Sequence, residues 1–405
     1  MKNFILNNDK FLDTEYIISY SKLGNMAHFF FILSILLYPI TLANHTLYVI
    51  PQVLMLGISV ANLNKRLYFA DYTAFFCGII AFSIPIVVEL TAQSTNFELA
   101  SKLFVNVVSI IVIAGDERIK FSTKTLRHIR YILVIWFVVI VLLYLSQGIT
   151  SLASLAVVLD SGSNIDSSKL YNFAEPLHET FLTKNISAMF VVSVFSFYIY
   201  VAYRLDKKVS FLEFILFFVV STAFLSRQSI LTIITLYGFY RFVIAGYANK
   251  VIVITMSAAL GMLFFTTFFN LQNTNDGANQ RLDLWRYFFN HFQDFFYLGN
   301  GVDQLNTILR ANLDIDNFHM FFMNQIGAYG IFHFIAFSLF LIFIYNHVGD
   351  KKGRVFLVVG YFLNVCFQTY GYEYGNLFLF MVMYPLIDHR PERSWIRIPK
   401  ITFRR

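Results

Sequence analysis

The sequence predicts an all-α, polytopic protein that crosses a membrane about twelve times, as apolar helices. Hydrophobic residues fill 57% of its 405 positions and charged residues only 14%, whereas soluble domains carry about 25% charged residues. The apolar residues form runs close to the roughly 20 residues that a helix needs to cross a bilayer core. Lysines and arginines cluster between alternate runs. These observations predict one integral membrane domain over residues 1–405.

The candidate spans follow one another along almost the whole chain. They are 27–43, 46–63, 67–89, 99–115, 130–147, 184–203, 208–225, 228–246, 251–270, 318–346, 354–370 and 373–388. The first begins after a polar leader and has no small-residue cleavage pattern, so we expect a retained anchor and not a signal peptide. The even number of spans predicts that both termini lie on the same side of the membrane.

The distribution of basic residues assigns the two sides. With both termini in the cytoplasm, most of the 31 lysines and arginines face inward, as the positive-inside rule requires. The exceptions, which face outward, are Lys102, Lys169, Lys184, Arg227, Arg281, Arg286 and Arg310. Arg227 lies in the very short LSRQS turn between two spans, so its position is constrained. An arginine at an outer span end can also simply extend to the lipid headgroups.

Two long outward loops, 148–183 and 271–317, carry most of the predicted extramembrane mass. The second contains aromatic and leucine residues at helical spacing in LDLWRYFFNHFQDFF. This spacing predicts an amphipathic helix that lies against the membrane surface. Loops of this length are usually either functional or disordered, and the helical pattern favours function.

The composition argues against several classes of function. The net charge of +7 is dispersed in short clusters, without the basic aromatic stripe of a nucleic-acid groove, so no nucleic-acid partner is expected. Cys77 and Cys366 lie inside apolar runs, which disfavours a disulfide framework or a thiolate metal site. The predicted midplane is almost uncharged apart from His333, which disfavours an ion-coupled transporter.

The outer face collects residues that suit phosphate chemistry. An arginine presents a planar fork of donors that matches phosphate oxygens, so two outward arginines from separate segments can clamp a pyrophosphate. His319 opens the span 318–346 at headgroup depth, where a neutral imidazole can deprotonate a hydroxyl. The alternative for His319 is an interfacial histidine bonded to a backbone carbonyl.

Two acidic features are weaker candidates for chemistry. Asp314 and Asp316 form a DxD pair of the kind that can hold a divalent cation, but such pairs are frequent and these fit a solvated loop. We therefore expect no metal and no cofactor. His178 and Glu179, in the first outward loop, can form a second acid–base pair or belong to a solvated loop.

Four outer stretches resemble the O-antigen ligase and polymerase superfamily. They are RLDLW at 281–285, LGNG at 298–301, HMFFMNQIGAYG at 319–330 and the pair Ser226-Arg227. In that superfamily a large periplasmic loop carries an Arg-x-x-x-Trp stretch and a Gly-x-Gly turn. It leads into a helix that opens with His, an amide or Ser residue, nine more residues and Gly. The pattern covers roughly residues 210–345. Met320 in place of the amide or Ser, and Ile331-Phe332-His333 after the glycine, favour the polymerase branch.

The resemblance implies a GT-C-like glycosyltransferase of the bacterial inner membrane, with its active site facing the periplasm. It implies a metal-independent, inverting transfer that joins oligosaccharide units carried on undecaprenyl pyrophosphate. His319 would take the proton of the acceptor hydroxyl, and Arg227 and Arg281 would bind the pyrophosphate. Further substrate contacts are expected from the outward residues Arg286, Arg310, His178 and Glu179.

The expected partners are the lipid-linked donor and acceptor, membrane lipid, a chain-length regulator and a flippase. Two alternatives stay open. One is the ligase that moves the finished glycan to lipid A-core with much the same residues. The other, from a different class, is a flippase or transporter of lipid-linked oligosaccharide.

Overall fold

The protein is helical nearly throughout the part described by a computed structural model. The described residues are 26, 29–30, 32–40, 49–61, 72–92, 101, 103–108, 123–148, 175–181, 183–268, 277–346, 351–369 and 371. Within them 84% of residues are helical and no strand is formed. An isolated antiparallel bridge joins Ile40 to Phe181. The all-α prediction is therefore confirmed for this part of the chain.

The helices follow one another with short connections in the second half of the chain. In chain order they are α1 (Val49–Ala61), α2 (Tyr72–Thr91), α3 (Thr123–Ser146), α4 (Glu175–Thr180), α5 (Lys184–Arg204), α6 (Phe211–Ala223), α7 (Arg227–Ile244), α8 (Tyr247–Phe268), α9 (Gly277–Asn290), α10 (Phe292–Phe295), α11 (Val302–Leu313), α12 (Phe321–Asn346) and α13 (Lys351–Val365). Helical residues also occur at 32–37 and 103–108.

Helix α5 is the centre of the main bundle. It is apolar on all sides, and 94% of its apolar window is buried, as expected for a helix without a polar face. It packs against α3, α6, α7 and α13. Three small serines lie in its interior, and one of them, Ser193, accepts a hydrogen bond from the amide of Asn364 on α13 (3.2 Å). The bundle therefore forms around one fully enclosed helix.

The outer surface of α3 is that of a helix in lipid. Trp136 and Ile140 point inward and are fully buried, whereas Ile135, Val138 and Leu142 remain about half exposed. A helix with apolar side chains on its exposed side is unusual in water, where a polar face is expected. Together with its 24-residue length, this pattern makes α3 suited to cross a membrane.

Among the described residues, three helices are long and apolar enough to span a bilayer. They cover Thr123–Ser146, Lys184–Arg204 and Phe321–Phe343. Shorter apolar helices cover Phe76–Thr91, Phe211–Ala223, Tyr247–Leu263 and Gly353–Val365. The predicted span 373–388 lies outside the described residues, and the first four predicted spans lie only partly within them. The membrane character is thus supported, while the count of twelve and the orientation stay predictions.

The large predicted loop 271–317 folds into α9, α10 and α11, with the described part starting at Gly277. These helices form a second core, in which Leu284 and Phe288 of α9 pack with Leu305 and Leu309 of α11 and with Phe318. The predicted amphipathic helix is present as α9. Its apolar side, however, is buried against protein, because α10, α11 and the start of α12 supply a closer apolar surface.

Helix α12 is broken at Gly330. The residue has φ 78° and ψ 177°, so two helical segments meet there without continuing one another. Its outer segment packs on α10 and α11, and the helix as a whole makes its main contact with α2. His333, just past the break, contacts the carbonyl of Ala81 on α2 (2.7 Å) and the side chain of Gln325 (2.9 Å). This buried histidine thus links α2 to both halves of α12.

Candidate active site

His319 lies in the connection between α11 and α12, in a backbone conformation that is rare for a side-chain-bearing residue. Its φ is +50°, in the left-handed region that disfavours a Cβ. Two amides hold the turn: Asn317 accepts the backbone N–H of His319 (2.8 Å), and Asn324 accepts that of Phe318 (2.9 Å). Strained residues persist only where their surroundings fix them, and they concentrate at functional sites.

The imidazole of His319 is neutral at physiological pH. Burial and the guanidinium of Arg281 lower its pKa from 6.5 to about 4, and Asp316 opposes this shift. A histidine in this state has a lone pair on one ring nitrogen and can accept a proton. Arg281 and His319 were both predicted as site residues, and the structure brings them within electrostatic range of one another.

Two further basic residues, besides Arg281, lie at the starts of two helices. Lys184 is the first residue of α5 and Arg227 the first of α7, and their positive charges repel each other. Neither helix has an acidic residue in its first turn. A helix N-terminus carries a partial positive charge that favours acidic side chains. Basic residues at both positions add to that positive charge, an arrangement that suits an anion.

Residues that follow α13 connect the start of α7, at Arg227, with the turn that holds His319. The amide of Gln368 donates to Gln228, next to Arg227, at 2.6 Å. The hydroxyl of Thr369 donates to the Asn317 side chain at 2.7 Å, and Asn317 in turn holds the backbone of His319. One continuous polar layer therefore runs from the start of α7 to the catalytic candidate His319.

Sequence reasoning missed Lys184, Asn317, Gln368 and Thr369 as members of this region. Lys184 was assigned to the outer face, but only as an exception to the charge rule. Gln368 and Thr369 come from a segment distant in sequence, and the uncharged side chains of all three carry no pattern of their own. The short stretches DNFH and FQTY place polar residues beside the ends of predicted spans, and this was the local signal for these positions.

The two stretches LGNG (298–301) and HMFFMNQIGAYG (319–330) pack against each other at their glycines. The N–H of Gly301 donates to Ala328 (2.8 Å) and that of Ile331 to Phe296 (2.7 Å). A Cβ on Gly330 would collide with the carbonyl of Tyr297, and both Gly299 and Gly330 have positive φ. The loop backbone thus fills the break in α12, where it also satisfies the carbonyls freed by the break. This close approach explains why glycine is needed on both sides.

A buried carboxylate fixes the next element. Glu89, near the end of α2, accepts the N–H of Val302 at the start of α11 (3.1 Å) and is fully buried. A carboxylate at a helix N-terminus is the favourable arrangement, in contrast to the basic starts of α5 and α7. The contact holds α11 beside α2, with the His319 turn following directly from α11.

The remaining predicted substrate contacts are less closely tied to the site. Arg286 pairs with Asp283 on the same helix (3.1 Å) and is 75% exposed; it lies five residues from Arg281, which places it on a different side of α9. Arg310 pairs with Asp316 (3.6 Å) and reaches the site only through that residue. His178 and Glu179 are exposed on α4. Their helix approaches Arg227 through Phe181, which packs on Phe224.

The DxD pair does not present two free carboxylates. Asp316 pairs with Arg310 and accepts the Asn317 amide (2.7 Å), and Asp314 ends α11 in a left-handed conformation. Within the described residues there is no group of three or more His, Cys, Asp or Glu side chains that can hold a metal ion. The positive charge that the described residues bring to the site comes from lysine and arginine side chains.

Comparison with known proteins gives no relative from which a function can be carried over. No protein-family model matches the chain, and none of the curated proteins matches it. The assignment of a function therefore depends on the residues assembled around His319 and Arg227.

Proposed function

We propose that the chain is an O-antigen polymerase: a metal-independent, inverting glycosyltransferase that joins oligosaccharide units carried on undecaprenyl pyrophosphate. It acts at the periplasmic face of the bacterial inner membrane. The observation that carries the proposal is a neutral, conformationally fixed His319 connected through one polar layer to basic residues at two helix N-termini. A base and a pyrophosphate-binding region are the two parts that such a transfer requires.

In the proposed step, a hydroxyl oxygen of the acceptor sugar attacks the anomeric carbon of the donor glycan. His319 takes the hydroxyl proton as the new carbon–oxygen bond forms. The bond between the anomeric carbon and the pyrophosphate oxygen breaks, and undecaprenyl pyrophosphate leaves with the electron pair. Attack occurs opposite the leaving group, so the configuration at the anomeric carbon inverts.

The leaving group gains negative charge, and Arg227, Arg281 and Lys184 stabilise it. Fixed positive groups aimed at a developing charge are usually the largest single contribution to catalysis. Lys184 and Arg227 begin helices whose own dipoles add to the positive potential. Because their repulsion is already present before substrate binds, an arriving pyrophosphate relieves it. Binding energy is thereby directed to the reacting centre.

The proposal is tested with the purified protein in lipid nanodiscs and undecaprenyl-pyrophosphate-linked repeat units from the native host. His319→Ala, Arg227→Ala and Arg281→Ala should each abolish both the product ladder and the release of undecaprenyl pyrophosphate. Lys250→Ala removes a basic residue of α8 that lies outside the proposed site and contacts the Phe242 ring; it is the control and should retain most activity. Wild-type activity in all three site variants would refute the assignment.

The lipopolysaccharide of a deletion strain separates the polymerase from its alternatives. Loss of the polymerase should leave a core bearing a single repeat unit. A bare core with long glycan retained on the lipid carrier would indicate the ligase instead. Unpolymerised units trapped on the cytoplasmic leaflet would indicate the flippase.

A further inference from the structure

A separate cluster of basic residues lies at the end of the bundle opposite Lys184 and Arg227. Helices α5 and α7 begin with those two residues and end with Arg204 and Ile244. Between the ends of these helices and the start of α8 is an open cavity of about 850 Å³. It is distinct from the His319 site, because it lies at the opposite end of α5 and α7 from Lys184 and Arg227.

The cavity is lined mainly by positive charge. Its basic residues are Arg204, Lys207, Lys208 and Arg241, and Asp206 is its single acidic residue. Helix α8 begins at Tyr247 beside the cavity with its positive end, whereas α5 and α7 end there with their negative ends. Each helix end carries about half a charge, so the four basic side chains outweigh them. Four cations on one concave surface are suited to a phosphate group.

The cavity is also apolar on one side. Ile244, Ile252 and Val253 line it next to the cations. A soluble anion gains nothing from such a surface, whereas an amphiphile buries part of its chain there while its phosphate meets the basic residues. The volume lies within the range of pockets that enclose small ligands. Tyr240 also lines the cavity, and its hydroxyl oxygen accepts the N–H of Val209 (3.0 Å).

We propose that this cavity binds the headgroup of an anionic phospholipid, with the phosphate at the four basic residues and the first acyl carbons against the isoleucines and Val253. The predicted orientation puts this end in the cytoplasmic leaflet, which is rich in anionic lipid. The site is independent of the glycan chemistry proposed above, and it gives these residues a role beyond setting orientation.

Native mass spectrometry of the full-length protein tests the site directly. Detergent-purified protein is titrated with phosphatidylglycerol, with phosphatidylcholine as the zwitterionic probe and inorganic phosphate as the soluble one. We expect wild type to retain phosphatidylglycerol in preference to phosphatidylcholine. The variant Lys207→Gln/Lys208→Gln/Arg241→Gln should bind it about a hundredfold more weakly, on the scale of about fivefold for each basic residue near a membrane surface.

Two further variants make the result specific. Lys250→Gln removes a lysine of α8 that does not line the cavity and contacts the Phe242 ring (5.0 Å); it should bind like wild type. Lys207→Arg/Lys208→Arg/Arg241→Lys keeps every charge and should retain the lipid even if the neutral variant folds poorly. Equal affinity for the two lipids, or a charge-preserving variant that loses binding, would overturn the proposal. Displacement of the lipid by millimolar inorganic phosphate would assign the site to a free anion instead.

Discussion

One side-chain oxygen of Asn317 accepts two hydrogen bonds, from the backbone N–H of His319 at 2.8 Å and from the hydroxyl of Thr369 at 2.7 Å. The pair of contacts fixes the turn before α12 and attaches it to the end of α13. His319 keeps its left-handed backbone only while this attachment holds. Asn317 is therefore a positioning residue, which acts through His319.

Asn317→Ala should lower kcat about tenfold to a hundredfold and leave KM nearly unchanged, since misplacement of a catalytic group affects the transition state more than substrate binding. Steady-state kinetics with the lipid-linked substrate measure both constants. Asn317→Asp keeps the acceptor oxygen but loses the N–H that donates to Asp316, so it should recover only part of the turnover. Its added negative charge should also raise the pKa of His319, so the acid limb of its pH profile should move upward. A purely structural role would lower the amount of folded protein and leave kcat per folded molecule unchanged.

Activity should persist to unusually acidic pH for a histidine base. The pKa of His319 is lowered to about 4, so the imidazole stays neutral at any pH well above that value. In Arg281→Gln the charge repulsion is lost while the burial remains, so the pKa of His319, followed by NMR titration of its ring, should rise part of the way toward 6.5. An acid limb near 6.5 in wild type would contradict the burial of this ring.

The same shift has a consequence for stability. Because the unfolded chain binds a proton at His319 more readily than the folded one, this residue destabilises the fold as pH falls below 6.5 toward 4. His319→Gln should therefore reduce the loss of thermal stability in that window. Thermal unfolding of both proteins at several pH values measures it.

Lys184→Met should impair the reaction and leave the fold intact. The substitution removes a cation from the starts of α5 and α7, where we propose that the pyrophosphate binds. We expect roughly tenfold lower kcat/KM with an unfolding temperature close to that of wild type. Lys250→Met, also in the first turn of a helix, should leave kcat/KM unchanged. A destabilised Lys184→Met protein would mean that Lys184 holds the fold together.

Gly330→Ala should disconnect the large loop from α12. The new Cβ would collide with Tyr297 in a backbone conformation that disfavours side chains, so the stability of the loop should fall by about 2 kcal/mol or more. Limited proteolysis within 277–313, in nanodiscs, reports this change. Gly261→Ala, at a helical glycine with open space around it, is the matched control and should be neutral or slightly stabilising.

The sequence predicted the local elements of the site better than their assembly. The apolar runs predicted Arg227 in the turn just before one span and His319 at the start of another, and the two helices begin close by, at Arg227 and Phe321. The break at Gly330 was not predicted, since a helix with two glycines three residues apart is equally consistent with close helix packing. Contacts between Asn317 and Thr369, or Gln228 and Gln368, join residues 52 and 140 positions apart. Uncharged side chains show no periodicity that would pair them.

The backbone contacts between Phe296–Gly301 and the broken helix α12 restrict how this loop segment can move. Lifting this segment away would break the hydrogen bonds at Gly301 and Ile331 together and leave polar backbone of α12 exposed at the edge of the membrane. Such a segment is a fixed wall and not a lid. If the protein extends a glycan as proposed above, that glycan enters and leaves the His319 site past this wall, and successive additions do not require this part of the protein to open and close.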